Sequence, residues 1–351
     1  MAHEPGQETG HPDEGHVVDA FTWREYVHGL RSELGGWTAL AQALQDRAEA
    51  ELVEDPESVI KGLKRLAQSR QGPGGKYGAL LLRTFGLPPS ITHWGRLMGQ
   101  YHGRFADLPV GLRREQLLRW DRPPVSESPA AMWVHIGLAS LALRDRDLDE
   151  ANRRIVLASE VRRPEVEARI EYELLVARVA SADGSLAAEA AALDAAEASL
   201  GAPTLSEVDR LCYLARLLDQ RAYRASQGWR SHPAKLREAL ALYERIPDVR
   251  EPPFVAFRRA LGRAWCLWRL GEEDAAKVLA RAACDHAGDG GLVRFRVMGL
   301  SLLAQLCGDN PEGLDARTRA EGLTLALDDA DLATRVRRRP YVDASSTPRT
   351  P

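Results

Sequence analysis

The clearest candidates for chemistry in this 351-residue sequence are cationic side chains. Residues 61–106 contain eight lysines and arginines and no acidic residue, and aromatic residues are interleaved with them. Cations and rings on one surface are typical of phosphate binding, because the cations neutralise phosphate oxygens and the rings stack on bases. We expect contacts to phosphate, in DNA or another nucleic acid, from the following cations: Lys61, Lys64, Arg65, Arg70 and Lys76.

An acidic block directly precedes this basic stretch. Residues 1–60 carry 13 acidic and 3 basic side chains, whereas residues 107–351 are nearly neutral. Two interpretations stay open at this point. The basic stretch is either an exposed phosphate-binding surface or a surface that folds against the acidic block, so that the opposite charges neutralise each other.

Local motifs for catalysis and metal binding are incomplete. The glycine-rich run 71–78 resembles an anion-binding loop, but it lacks the upstream glycine and the Ser or Thr of a P-loop. The start of a calcium loop is similar in the spacing of its carboxylates to Asp145, Asp147 and Asp149. Glu150, however, occupies the position where that loop needs glycine. HExxH, GxSxG and the dinucleotide fingerprint are absent. We therefore predict a protein that is not an enzyme, with no catalytic residue, no metal site and no cofactor.

Composition and periodicity predict an all-α protein. Alanine, leucine and arginine dominate long stretches, and no convincing alternation of period two is present. No apolar run is long enough to span a bilayer, and the first eighteen residues are too polar and acidic for a secretory signal, so we expect a cytoplasmic protein. The four cysteines lie far apart and are expected to be buried free thiols.

The first part of the chain is predicted to be a helical module at 20–122, after a disordered acidic tail at 1–18. Its helices are expected near 20–33, 37–50, 56–69 and 79–85, with a loop at 71–78. The pair 37–50 and 56–69 faintly resembles a helix-turn-helix, although the connection is longer than the usual turn of about three or four residues.

The third of these helices has the clearest start signal. Asp55 is a natural N-cap, and Pro56 fits the first helical position. Lys61, Lys64 and Arg65 then fall on one face of the helix, because side chains three and four positions apart are neighbours. We assign no role to the run YHGRFADLPV at 101–110.

From residue 128 to 336 the sequence becomes repetitive. One window contains Ala139, Ala151, Ile155 and Ala158, and a second contains Ala264, Gly271, Ala276, Ala280 and Ala283. Small residues at these spacings let two helices of a hairpin approach closely. The windows resemble the tetratricopeptide repeat, and the resemblance implies an α-solenoid of helix hairpins. A disordered tail is expected at 340–351.

The resemblance also implies which side chains line a concave groove. Carried onto this sequence, the groove positions are Trp133, Ile136, Ser140, Leu143 and Arg144 in the first copy and Arg258, Leu261, Trp265, Trp268 and Arg269 in the second. Tryptophan beside arginine is typical of a peptide-binding hot spot. We expect partner contacts from Trp133, Arg144, Arg258, Trp268 and Arg269, whereas Trp265 is expected to pack against the neighbouring repeat.

These features predict an intracellular interaction protein, an adaptor or scaffold that binds a peptide or partner protein in the groove. The alternative is a transcriptional regulator that resembles bacterial peptide-sensing regulators. In that case the basic N-terminal residues contact DNA, and the repeat region at 128–336, which we call the array, binds a signalling peptide and forms a homodimer. The order of the modules fits this alternative, whereas the acidic flank and the long connection count against it. Neither hypothesis involves a membrane.

Overall fold

The computed structural model describes residues 21–48, 52–69 and 72–337. Within these residues all regular secondary structure is helical, as the sequence predicts, and no strand is present. Both predicted tails, at 1–18 and 340–351, lie outside the described residues, and so does Arg70.

Four helices form the start of the chain around a core of their own. Their bounds are α1 Trp23–Leu34, α2 Trp37–Ala48, α3 Pro56–Gln68 and α4 Gly75–Phe85. Trp23 and Tyr26 are completely or almost completely buried in this core. The Tyr26 hydroxyl donates to the Leu81 carbonyl at 3.1 Å, and the Trp23 Nε1–H donates to the Gly72 carbonyl at 3.1 Å. These two bonds fasten α1 to α4 and to the loop that precedes it.

Helix α3 begins as the sequence predicts. The Ser58 N–H donates to the Asp55 carboxylate at 3.0 Å, and Pro56 occupies the first turn. The predicted loop at 71–78 is too long, because α4 already begins at Gly75. The Gly74 N–H at this helix start donates to both carboxylate oxygens of Glu127, at 3.1 and 3.2 Å. An acidic side chain of the same protein therefore occupies the anion-binding position of this loop.

Two further helices, α5 Pro89–Gly99 and α6 Val110–Trp120, pack against the first helix of the array. They share a core cluster with it through Met98, Leu117 and Leu138. A Cβ atom at Gly99 would lie 2.6 Å from the Trp133 carbonyl oxygen, so only glycine permits this close crossing. The module boundary near residue 128 stays a prediction.

The remaining helices pack in sequential pairs. The pairs are α7 Ala131–Arg144 with α8 Leu148–Ser159, α9 Val166–Ala182 with α10 Leu186–Ser199, α11 Glu207–Ala225 with α12 Ala234–Glu244, α13 Pro253–Leu270 with α14 Glu273–Asp289, and α15 Val293–Cys307 with α16 Pro311–Leu327, followed by α17 Ala330–Arg337. The alanines of both sequence windows are at most 1% exposed. Gly271 ends α13 in the left-handed conformation, with φ +91°. This pairing is compatible with a helical-repeat solenoid.

The run at 101–110 links the start of the chain to the array. The backbone N–H groups of Val293 and Arg294, at the start of α15, donate to the Asp107 carboxylate at 2.7 and 3.0 Å. Asp107 therefore caps a helix that lies almost two hundred residues further along the chain. At the other end of the run, Tyr101 enters the array and contacts Phe295. Among the helices described, none combines the length and apolar character needed to cross a bilayer.

The close approach of α12 and α13 depends on one glycine. A Cβ atom at Gly262 would lie 2.1 Å from the ring of Tyr243, and Tyr243 is itself fixed by a hydrogen bond to Asp219 at 3.1 Å. We predict that Gly262→Ala lowers the free energy of unfolding by about 1–3 kcal/mol, because the added methyl group overpacks a closed interface. Chemical denaturation followed by circular dichroism measures this loss.

Gly322→Ala is the matched control. Gly322 lies inside α16, and no atom would come within 4 Å of an added Cβ. Because alanine has the higher helix propensity, this variant is expected to gain up to about 1 kcal/mol. Equal effects of the two substitutions would contradict the proposed packing of Tyr243.

Candidate anion-binding cavity

A central cavity of about 720 Å³ lies on the inner side of the array. Most of its lining comes from the first helices of successive pairs, α7, α9, α11, α13 and α15, and from α17. The volume is within the range of about 300–1,000 Å³ that small-ligand sites have in proteins. The cavity is therefore large enough for a short peptide segment or a small molecule.

Each of these five first helices contributes one arginine to the lining. We call them the inner arginines: Arg144, Arg178, Arg216, Arg258 and Arg294. Along the chain they are separated by 34, 38, 42 and 36 residues, which is the spacing of one helix pair. Their place in the helix changes steadily, from the last residue of α7 to the second residue of α15. The stacking of the helix pairs thus brings distant arginines to one place.

Tyr101 lies at the centre of the inner arginines. The guanidinium carbon of Arg216 is 4.6 Å from its ring centroid, and those of Arg178 and Arg258 are 5.4 and 5.6 Å away. Arg258 Nη2 also donates to the Tyr101 hydroxyl oxygen at 2.7 Å. Burial raises the pKa of the Tyr101 hydroxyl, but the positive charges of Arg258, Arg294 and Arg178 outweigh burial and lower its pKa to about 7.

Carboxylates neutralise the inner arginines only in part. Glu171 pairs with Arg216 at 2.5 Å, and Asp219 pairs with Arg258 at 3.3 Å. Asp329 serves two arginines at once, because Arg144 and Arg294 both lie 3.8 Å from the same oxygen. Arg178 forms no ion pair with any carboxylate in the described part of the chain. Among the described residues, seven arginines line the cavity together with Glu189, Asp219 and Asp331. Glu171 and Asp329 also pair with lining arginines although they do not line the cavity themselves, so five carboxylates face seven arginines and an excess of two positive charges remains.

Several guanidinium nitrogens in this cluster have no hydrogen-bond partner. They are Nε and Nη2 of Arg144, Nε of Arg258, and Nε and Nη1 of Arg294. Buried polar groups of this kind are unfavourable until they are paired. Burial lowers the pKa of Arg144, and repulsion from Arg294 and Arg113 lowers it further. The same two effects, burial and neighbouring arginines, lower the pKa of Arg178. The cluster is therefore short of negative charge and of hydrogen-bond acceptors.

A second wall of the cavity is apolar and aromatic. Leu261 and Trp265 contribute from α13, Met298 and Leu302 contribute from α15, and Tyr223 contributes from α11. The Trp265 ring is held in an edge-to-face contact with Trp229, with centroids 6.3 Å apart. On α13 and α15 these residues follow the inner arginine about one and two turns later on the same helix face. The cavity thus presents this apolar wall next to its cations, which suits a ligand with an anionic part and an apolar part.

Some of the groove positions predicted from the repeat resemblance line the cavity, and others do not. Arg144 and Arg258 line the cavity, as do Leu143 and Leu261. Trp265 also lines it, although it was expected to be only a packing residue between repeats.

Trp133 is a core residue, so its assignment to the binding surface is corrected. Its side chain is 1% exposed, and its Nε1–H donates to Glu165 at 3.2 Å. Trp268 and Arg269 are not among the side chains that line the cavity; the Arg269 guanidinium stacks 3.7 Å from the Trp268 ring centroid. A partner-binding role of this pair stays a prediction.

Sequence reasoning missed Tyr101, Arg178, Arg216 and Arg294. Arginine recurring at about one repeat length was present as a signal, but a rigid 34-residue template does not detect intervals that vary by several residues. Tyr101 had no such signal, because it lies outside the paired helices, in the run at 101–110.

The described residues among the predicted phosphate contacts do not line this cavity; they lie on α3 and at the start of α4. Lys61, Lys64 and Arg65 are exposed, and Lys64 Nζ lies 5.8 Å from the Trp37 ring centroid. Lys76 pairs with Glu54 of the acidic block at 2.6 Å, whereas Arg96 pairs with Asp209 of the array, also at 2.6 Å. Two cations of the basic stretch, Lys76 and Arg96, are thus paired with carboxylates, while the cations of α3 remain exposed.

No family model, no curated protein and no solved structure matches this chain. The similarity to tetratricopeptide repeats therefore depends on the small-residue spacings and on the paired helices described above. In the described part of the chain, no group of three His, Cys, Asp or Glu side chains is placed to hold a metal ion. Cys212, Cys266 and Cys284 are buried free thiols, and burial raises the pKa of each of them.

The charge around Tyr101 predicts an unusual titration. In the near ultraviolet, where tyrosinate absorbs, the folded protein should show one tyrosine that ionises near its pKa of about 7. A free tyrosine ionises only near about 10. Tyr101→Phe should remove this step and leave the other tyrosine transitions in place. Absence of any step below about 9 would contradict the assignment.

The same pKa difference predicts a pH-dependent stability. Because the pKa of Tyr101 is about 7 in the folded chain and about 10 in the unfolded chain, its phenolate stabilises the fold fully above the higher value. The stabilisation is lost as the pH falls towards the lower value. The difference in melting temperature between wild type and Tyr101→Phe should therefore shrink from pH 10 to pH 7.

Proposed function

We propose that this protein is a non-enzymatic interaction protein whose tetratricopeptide-like array binds an acidic peptide segment of a partner protein in the central cavity. The observation that carries the proposal is the set of inner arginines, one from each of five successive helix pairs, around a single cavity. Clusters of arginine recognise anionic motifs because each guanidinium donates in a planar fork to carboxylate or phosphate oxygens.

The chemistry of the cavity supports a binding role. The Tyr101 hydroxyl is already paired with Arg258, and the guanidinium groups of other inner arginines lie close to its ring. In our proposal Tyr101 acts as an internal counter-charge that holds the inner arginines together before a ligand arrives. The free thiols of buried cysteines are in keeping with a cytoplasmic location, where thiols stay reduced.

Arg178→Gln tests this proposal without disturbing an ion pair. Isothermal titration calorimetry on the full chain would compare a peptide of about ten residues rich in glutamate with its lysine-containing counterpart. We expect the acidic peptide alone to bind, and its affinity to fall by at least about tenfold in Arg178→Gln. Below pH 7, where the Tyr101 hydroxyl is neutral, the melting temperature should stay constant or rise, because a buried charge that Arg294 and Arg216 repel is removed.

Arg153→Gln is the control with the same change of charge. Its side chain is 70% exposed, lies on α8 and, among the described residues, pairs with Glu150 of its own helix. Acidic peptide binding should be unchanged in this variant. If both variants lose affinity equally, or if the acidic peptide does not bind wild type, the cavity is not the binding site.

A second candidate function is supported by α3. Lys61, Lys64 and Arg65 are exposed on this helix, and Lys61 and Arg65 form no ion pair with a carboxylate of the described residues. In this proposal the chain is a transcriptional regulator in which α3 contacts DNA phosphates and the array senses an anionic peptide. The seven residues at 49–55 between α2 and α3 exceed the short turn of a helix-turn-helix, so the contacts would be to phosphates rather than to bases.

Fluorescence anisotropy of a random-sequence duplex with the full chain tests the second candidate. Binding should weaken steeply between about 50 and about 200 mM salt, because each neutralised phosphate releases a counterion. The triple variant Lys61→Gln, Lys64→Gln, Arg65→Gln should bind more weakly and show a smaller salt slope. Absence of binding at the lower salt concentration would exclude an accessible phosphate-binding face.

The control for this triple variant removes three exposed arginines of the array instead. Arg153, Arg281 and Arg319 have side chains that are 70%, 47% and 49% exposed. Changing all three to glutamine alters the net charge of the protein by the same amount. If this control variant weakens DNA binding as much as the α3 variant does, attraction by the total charge explains the binding, and α3 has no specific role.

A further inference from the structure

We propose that the central cavity recognises a phosphomonoester, a dianionic group that the inner arginines bind while the apolar wall holds the remainder of the ligand. This inference rests on the proposed function and narrows it from acidic ligands in general to one chemical class. A phosphomonoester is present in phosphorylated peptides and in nucleotides, and the experiment below distinguishes these two sources.

The charge of the cavity favours a dianion. Seven lining arginines face five carboxylates, three in the lining together with Glu171 and Asp329, which leaves an excess of two positive charges, and Arg178 has no carboxylate partner within the described residues. A carboxylate would bring a single negative charge into this excess. A phosphomonoester carries a charge of about −1.5 to −2 near neutral pH and therefore neutralises more of the repulsion among the inner arginines.

The number of donors also favours phosphate. Five guanidinium nitrogens of Arg144, Arg258 and Arg294 are fully buried without a hydrogen-bond partner, so these side chains gain hydrogen bonds if they rotate towards an acceptor in the cavity. A carboxylate has two oxygens, whereas a phosphomonoester has three terminal oxygens that point in different directions and accept from several forks at once. The inner arginines approach from five separate helices, which matches a tetrahedral acceptor better than a planar one.

Every cation of the cavity lining is arginine, and none is lysine. Arginine differs from lysine in its planar, multiply donating head, which suits bidentate contacts to phosphate. The guanidinium groups are also positioned before a ligand arrives, because ion pairs to Glu171 and Asp219 hold Arg216 and Arg258 in place. Such preorganisation lowers the entropy lost on binding.

The apolar wall defines the rest of the ligand. Leu261, Trp265 and Met298 offer a ring and aliphatic groups about one and two turns beyond the inner arginines of α13 and α15. A phosphomonoester attached to an aromatic or aliphatic body places each part against the matching wall. Inorganic phosphate would fill only the cationic side, so it should bind more weakly than an aryl phosphate.

Isothermal titration calorimetry of the full chain with phenyl phosphate tests the inference. Benzoate is the comparison ligand, because it keeps the ring and replaces the dianion with a monoanion. We expect phenyl phosphate to bind at least about tenfold more tightly than benzoate. Equal affinities, or no saturation by phenyl phosphate, would overturn the inference.

Variants locate the site. Arg178→Gln should abolish phenyl phosphate binding while the melting temperature is kept, and Arg178→Lys should restore only part of the affinity, because the charge returns without the planar fork. Arg153→Gln, on the outer helix α8, should bind as wild type does. Loss of binding in Arg153→Gln, or full binding in Arg178→Gln, would show that phosphate binds elsewhere.

Two further titrations identify the source of the phosphate group. A phosphoserine peptide that binds more tightly than adenosine 5′-monophosphate would indicate a phosphorylated partner, and the reverse order would indicate a nucleotide. If the glutamate-rich peptide binds through Arg178 but phenyl phosphate does not, the phosphomonoester inference fails and the proposed function stands. If neither binds, both fail.

Discussion

Repulsion among buried arginines is the constraint on which the rest of this structure depends. Five guanidinium groups converge on one side of a stack of helix pairs, and Glu171, Asp219 and Asp329 offset only part of their charge. Burying unpaired charge is strongly unfavourable. The array therefore needs an internal acceptor, and Tyr101, whose hydroxyl accepts from Arg258 and has its pKa lowered to about 7 by the arginines, supplies one from outside the repeats. The segment that carries Tyr101 is held in turn by Asp107, which caps α15.

Packing of small residues makes this convergence geometrically feasible. Alanines at most 1% exposed bring α7 close to α8 and α13 close to α14, and Gly262 gives the Tyr243 ring space to lie against α13. Tyr243 then donates to Asp219, the same carboxylate that pairs with Arg258. The packing of Tyr243 against α13 is thus connected to the cavity by two polar contacts, from Tyr243 to Asp219 and from Asp219 to Arg258. Stability of the array and the arrangement of its charges are consequently not independent.

Much of the fold was predictable from the sequence, because it depends on local signals. The all-α class, the Asp55 cap and the two hairpins with buried alanines follow from residue types a few positions apart. The cavity was predictable only in part: template positions identified Arg144 and Arg258, but they also selected Trp133, which is buried in the core. The reason is that helix lengths vary from 14 residues in α7 to 19 in α11. A residue at a fixed position of the repeat template therefore does not keep the same orientation from one helix to the next. Long-range stacking and Tyr101 lie beyond any local pattern.

The steady change in the position of the inner arginines has a mechanical consequence. Each of them lies nearer the start of its helix than the one before it, so the five trace an oblique line across the stacked helices. A shift of one helix pair by a single turn, about 5.4 Å, would carry its guanidinium away from this line. The alignment of the arginines therefore depends on how far each helix pair is shifted relative to the next. An anion that bridges the five arginines would hold the helix pairs in one relative position. By thermodynamic reciprocity, any partner that changes this relative position would lower the affinity for the anion.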